Sequence, residues 1–113
     1  MDCLFCKIVA SEIPGDFVYK DDEVVAFRDI NPIAPTHILI VPRKHIASLL
    51  ELADSDLPVM ARMVKIANDL ARKEGIAEKG YRLVVNTGKE GTQIVQHLHL
   101  HLIGGRQLSG RIG

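Results

Sequence analysis

The apolar positions change period along the chain, and each change marks an element. A short helix is predicted over Leu4 to Ala10, closed before Pro14-Gly15. The stretch FVYKDDEVVAFRDI reads as two short strands around an Asp21-Asp22 turn. Asn31-Pro32 and Ala34-Pro35 mark a loop, because the residue before proline is pushed out of the helical region. THILIVP is β-branched, ends at Pro42 and suits a buried strand. From about Asp54 to Glu74 the period becomes helical, with Leu57, Met60, Ala61, Val64, Ala67, Leu70 and Ala71 at spacings of three and four, and Gly75 in place as a C-terminal cap. YRLVVN and HLHLHLI supply a fourth and a fifth strand, joined by the loop TGKEGTQ. The expected fold is α+β: a five-stranded antiparallel sheet with one long and one short helix, in a single domain over 1–113.

The last strand raises the chemical question. Side chains alternate across a strand, so Leu98, Leu100 and Leu102 form a core face, and His97, His99 and His101 share the other. Same-face neighbours sit roughly 6.5–7 Å apart. Three imidazoles so placed can hold a phosphate-sized group or contribute to a metal site. Three of the five histidines in register on one strand is a poor match to scattered surface histidines.

Composition narrows the setting. The chain has 113 residues, 47% hydrophobic, with 14 acidic and 14 basic side chains. That balance lacks the basic excess usual for nucleic-acid or membrane-surface binders, so neither partner is expected. No apolar run reaches the roughly 18 residues of a membrane-spanning helix, and MDCLFCKIVASE lacks the regions of a secretory signal. The expected compartment is the cytoplasm. Cys3 and Cys6, spaced C-x2-C, read on their own as two buried thiols, a redox pair or half of a metal site.

HLHLHLI, His97 to Ile103, matches the H-φ-H-φ-H-φ-φ signature at every position, and the chain resembles the histidine triad superfamily. FCKIVASEIP, DDEVVAFRDINPIAPTHILIVPRKHI, GYRLVVNTG and GGRQL look like its nucleotide-binding branch, in the same order, over about residues 3 to 108. The resemblance implies a purine nucleotide ligand, of AMP or GMP type, and cleavage at the α-phosphorus of nucleoside phosphoramidates or related adenylates through a nucleotidyl-histidine intermediate. By position, His99 would be the nucleophile, with His101 and His37 donating to phosphate oxygens. Asp29 would take the ribose hydroxyls, Asn86 and Gln93 the phosphate region. Phe5, Ile8, Ile13, Phe27, Ile30 and Leu39 would wall the purine. A homodimer is implied as well, built on the helix around Val64 and the strand Tyr81 to Asn86. Many bacterial relatives bind structural Zn²⁺ with a cysteine pair and two histidines, here Cys3, Cys6, His45 and His97.

Two departures bear on catalysis. Ile94 stands where relatives carry serine or threonine, and Thr92 where they usually carry glycine. Ile94 has no hydroxyl to donate, which leaves Thr92 as the nearest substitute donor and opens an alternative: a nucleotide-binding regulatory module with weak catalysis. The chain also ends SGRIG, without the aromatic, proline-rich tail of many relatives. A third reading, a zinc hydrolase ligating metal through His97 and His99, lacks a further ligand and a general base.

Overall fold

The computed structural model describes residues 3–113. Five strands form one antiparallel sheet: β1 (Phe17–Lys20), β2 (Val24–Arg28), β3 (Thr36–Pro42), β4 (Tyr81–Val84) and β5 (Leu100–Gly104), in the order β1-β2-β3-β5-β4. The helices are α1 (Leu4–Val9) and α2 (Leu57–Lys73), with short 3-10 turns at Leu49–Glu51 and Asp54–Asp56. The architecture is the α+β arrangement expected from the sequence.

Period-two alternation gives the sheet two apolar faces. Val24 and Ala26 of β2, Ile38 and Ile40 of β3, and Leu100 and Leu102 of β5 pack beneath α2 with Leu98. Val25, Phe27, Leu39 and Val41 point the other way and pack with Cys3, Phe5 and Ile8 of the α1 segment. Every residue of β3 is therefore buried. The histidines extend this second face. His37, His97 and His99 are buried too, and the Phe5 ring of α1 packs against His97 and His99.

β5 is shorter than the sequence pattern suggests. Pairing runs from Thr36–Gly104 to Ile40–Leu100 and then stops. Pro42 has no N–H to offer the ladder beyond. His97, Leu98 and His99 continue in an unpaired path, and Leu98 N–H instead donates to the Ile46 carbonyl at 2.6 Å. The freed Pro42 carbonyl has a use in the site described below.

The long helix starts at Leu57 rather than Asp54, with Pro58 in its first turn, where no amide donor is required. Its buried face is Met63, Ile66, Ala67, Leu70 and Ala71. Leu57, Ala61 and Val64, part of the periodic set read from the sequence, lie outward. Two apolar stripes run along this helix, and periodicity alone does not say which one meets the sheet. Its end follows the Schellman pattern: Ile76 N–H donates to the Ala71 carbonyl and Gly75 N–H to Arg72, with Gly75 at φ +76°. Glu74 then pairs with Arg28 of β2 through two contacts of 2.8 and 3.0 Å, which ties the helix end to the sheet.

Candidate active site

A cavity of about 790 Å³ opens beside β5. The slot residues expected from the sequence converge on it: Phe5 and Ile8 from α1, Ile13 from the turn after it, Phe27 from β2 and Leu39 from β3. Phe5, Ile8, Phe27 and Leu39 are buried and form an apolar wall. Ile30 also lines the cavity but is 90% exposed, so it sits at the rim rather than in the wall. Asp29, Asn86, Thr92, His99 and His101 supply the polar side.

Backbone partners fix which ring nitrogen carries the proton, because a carbonyl only accepts and an amide N–H only donates. His99 Nδ1 lies 2.7 Å from the His97 carbonyl oxygen. Nδ1 therefore holds the proton, and Nε2 keeps its lone pair. His37 shows the reverse: Ile33 N–H donates to its Nδ1 at 3.2 Å, so its proton sits on Nε2. That Nε2 is 2.9 Å from His101 Nδ1 and 3.4 Å from Asp29 Oδ2. Donation to His101 Nδ1 leaves His101 with its proton on Nε2. Burial pushes the His37 imidazolium pKa down, against the pull of the Asp29 carboxylate. Burial, with His99 and His37 as neighbours, takes His101 down to about 4. Both rings are neutral near pH 7, so each carries the single proton this chain of bonds requires.

Asp29 is set by an Asx turn, its Oδ1 accepting from Asn31 N–H at 2.8 Å. Its other oxygen, Oδ2, approaches His37. Asn86 reaches back into the following loop: its Nδ2 donates to the Gly91 carbonyl at 2.8 Å and lies 3.3 Å from Thr92 Oγ1. Thr92 Oγ1 itself donates to the Gly91 carbonyl at 2.6 Å, so the hydroxyl expected to substitute at position 94 is already engaged. Gly91 is required here, because a Cβ would collide with the Thr87 carbonyl.

Gln93 does not line the cavity. Its amide is spent on the fold: Nε2 donates to the Ala47 and Val95 carbonyls at 2.7 and 3.0 Å, and Oε1 accepts from Gly88 N–H at 3.1 Å. His37 also stands outside the lining, one layer behind His101. Ile94, singled out as a departure, lines the cavity, and lining residues not singled out for the site include Leu4, Asp16, Arg28 and Val95. Most sit one or two places from a residue that had been, and adjacency to those positions was the available signal.

A second cluster lies directly beneath. The donor atoms of Cys3, Cys6, His45 and His97 all fall within 4.8 Å of one another. His97 Nε2 donates to the Pro42 carbonyl at 2.8 Å, which turns the Nδ1 lone pair toward the cysteines. Burial holds the His97 imidazolium pKa low, so that lone pair is free near neutrality. His97 Nδ1 lies 3.3 Å from Cys3 Sγ, 3.5 Å from Cys6 Sγ and 3.3 Å from His45 Nδ1, and Cys6 Sγ lies 3.3 Å from His45 Nδ1. A tetrahedral ion with bonds of about 2.0–2.1 Å to nitrogen and about 2.3 Å to sulfur has edges of roughly 3.3 Å (N···N) and 3.5 Å (N···S). The observed spacings fit that figure. Burial and the neighbouring Cys3 raise the Cys6 thiol to about 11, so it is a poor thiolate unless a cation compensates.

Asp29, His37 and His101 also lie close enough to share an ion. There the tautomer argues against it, since Ile33 N–H occupies His37 Nδ1 and leaves the inward Nε2 protonated. His97 and His99, adjacent in the motif, thus serve different sites: one faces the cysteines, the other the cavity.

An antiparallel sheet with the buried His99 beside an apolar slot, and with the His37–His101 pair next to it, defines a histidine-triad architecture. The HIT domain family profile matches residues 10–108, and the chain belongs to this family. It is 50% identical over 107 residues to the purine nucleoside phosphoramidase of Escherichia coli K12, covering 95% of this chain and 90% of that protein. Among solved structures, a HIT family hydrolase from Legionella pneumophila superposes with a TM-score of 0.97 at 50% identity, covering 99% of this chain and all of that one. A histidine triad nucleotide-binding protein from Candida albicans superposes with a TM-score of 0.81 at 28% identity, covering 99% of this chain and 87% of that one.

Proposed function

We propose that this HIT-family enzyme hydrolyses purine nucleoside phosphoramidates, or related adenylates, through a nucleotidyl group on His99. The observation that carries the reading is the 2.7 Å bond from His99 Nδ1 to the His97 carbonyl, which leaves a lone pair on Nε2 beside the cavity. The purine lies in the slot of Phe5, Ile8, Phe27 and Leu39, and the ribose hydroxyls donate to Asp29. His99 Nε2 attacks the α-phosphorus, and the P–N bond breaks. The amine leaves with the electron pair and takes a proton from water. The developing imidazolium is stabilised by its Nδ1–H bond to the carbonyl, and non-bridging oxygens accept from His101 Nε2–H. Water then attacks phosphorus, the P–Nε2 bond breaks, and the nucleoside monophosphate leaves. The covalent intermediate divides one difficult displacement into two easier ones. The test is hydrolysis of adenosine 5′-phosphoramidate. His99→Ala should lose more than 99% of the rate, as expected for roughly 10²-fold or greater contributions of a nucleophile, and still bind AMP. Retention of more than a few per cent of the activity would refute the assignment.

We further propose that Cys3, Cys6, His45 and His97 hold one structural Zn²⁺. The spacing and tautomer described above support this reading. The ion would supply no chemistry at phosphorus. A closed four-ligand site ties the α1 segment, the segment after β3 and the approach to β5 together, so its binding energy adds to folding energy. Elemental analysis of protein purified without chelators or a metal-affinity column should give one equivalent. Zinc well below one, with both thiols titrating freely in the native protein, would refute it.

A further inference from the structure

The two clusters share more than a wall. His97 turns its Nδ1 to the cysteines, anchors Nε2 on the Pro42 carbonyl, and offers its own carbonyl to His99 Nδ1. A second link runs through α1. Phe5 lies between Cys3 and Cys6 in sequence, and its ring meets the His99 ring edge-on with centroids 5.0 Å apart at 89°. The same ring is 6.2 Å from His97 and 5.5 Å from Phe27. The backbone at 97–99 lies outside the sheet ladder, and the peptide that bears the His97 carbonyl is held on its other side by one backbone bond, Leu98 N–H to the Ile46 carbonyl at 2.6 Å. The His97 side chain and the Phe5 ring add the remaining restraints on His99.

We infer that the Cys3–Cys6–His45–His97 centre and His99 form one mechanical unit: metal bound there fixes the His97 carbonyl and the Phe5 ring, and so holds His99 in its reactive orientation. The inference rests on the zinc reading and adds to it. A purely structural ion would change the melting temperature and leave the nucleophile alone. Here His97 and Phe5 are positioning residues. Losing the metal frees the His97 side chain on its Nδ1 side and loosens the first turn of α1. Both contacts to His99 then relax together. A misplaced nucleophile lowers the chemical step on the order of 10²-fold for a displacement of about 1 Å, while substrate binding through Asp29 and the far wall changes less.

The test compares the full-length protein zinc-loaded, metal-stripped with a chelator, and as Cys6→Ser, all at a temperature well below the melting point of the least stable form. Nitrogen-15 NMR of labelled imidazoles reads the His99 tautomer directly. Expected is one Nδ1–H tautomer in the loaded protein and an averaged Nδ1/Nε2 signal in the other two. The rate of adenosine phosphoramidate hydrolysis should split accordingly, with kcat falling at least tenfold and KM changing less than threefold. Re-addition of Zn²⁺ should restore both readouts in the stripped protein and not in Cys6→Ser. Zinc uptake with an unchanged His99 signal and unchanged kcat would overturn this inference and leave the structural zinc site standing. Failure to take up zinc would overturn the zinc reading, and this one with it. If no form hydrolyses the substrate, the catalytic proposal fails, and the tautomer signal alone decides whether metal positions His99.

Discussion

At the level of single residues, the protons in this site are placed by backbone groups. Three hydrogen bonds, to the carbonyls of Pro42 and His97 and from the amide of Ile33, settle the tautomers of His97, His99 and His37. His101 follows from His37. None of this is written in side-chain identity. The motif HLHLHLI located the imidazoles, and resemblance to a family assigned them roles, but the assignment of proton and lone pair needed the fold. The departures at 92 and 94 illustrate the same limit. Thr92 carries a hydroxyl near the reacting group in sequence, yet that hydroxyl is committed to the Gly91 carbonyl. Ile94 is 90% exposed at the cavity and donates nothing. Ile94→Ser should therefore raise kcat for adenosine phosphoramidate. A new donor aimed at developing charge is worth up to about 10²-fold when fully aligned, and about tenfold is expected for an exposed loop. Steady-state kinetics on the two proteins decide it. An unchanged or lower kcat would show that the loop already supplies the donor from elsewhere.

At the level of elements, the sequence was most legible where strand-forming composition and turn residues coincide. β1 through β4 and the turn at Asp21 follow from β-branched runs and turn chemistry, even in β3, which is buried on both faces, and the leucines of the last strand are in the core as expected. The pattern failed where an element carries two apolar stripes or loses its partner. HLHLHLI alternates over seven residues, but Pro42 ends the ladder after Leu100. On α2, the stripe of Leu57, Ala61 and Val64 competed with the one centred on Met63, Ala67 and Leu70, and only the second meets the sheet. The outward stripe and the free edge of β4 are where the homodimer implied by the family resemblance would form. We expect light scattering at micromolar concentration to give twice the 12.5 kDa chain mass. Val64→Glu should shift the species toward monomer, because it places a charge in a buried apolar contact. A mass near 12.5 kDa for the unmodified protein would remove the dimer.

Taken as a whole, the molecule holds His37, His97 and His101 neutral in the fold, and this makes stability depend on pH in a defined window. His101 has an ordinary value of 6.5 and is held near 4 in the folded protein, first by burial and then by its histidine neighbours. Between those two values the unfolded chain binds a proton that the folded one refuses. Stability is then complete above about 6.5 and falls as pH drops toward 4. At ~1.36 kcal/mol per pKa unit, His101 alone accounts for on the order of 3 kcal/mol across that interval. His37 and His97, also depressed by burial, act in the same direction. Denaturant titrations of the unmodified protein and His101→Gln should differ in their pH dependence by about that amount between pH 7 and 4. Parallel curves would show that His101 titrates normally in the fold.

The bond from His99 Nδ1–H to the His97 carbonyl leaves its Nε2 lone pair beside the cavity, His101 keeps a proton to donate, and the proposed covalent intermediate uses both. The direct measurement is intact-protein mass spectrometry after rapid alkaline denaturing quench of the enzyme mixed with excess adenosine phosphoramidate, conditions under which phosphoramidate bonds to histidine survive. The unmodified protein should show a species heavier by one adenylyl group per chain, with peptide mapping placing it on His99, and His99→Ala should show none. Turnover without any such species on millisecond quenching, or an adduct that persists in His99→Ala, would contradict the account.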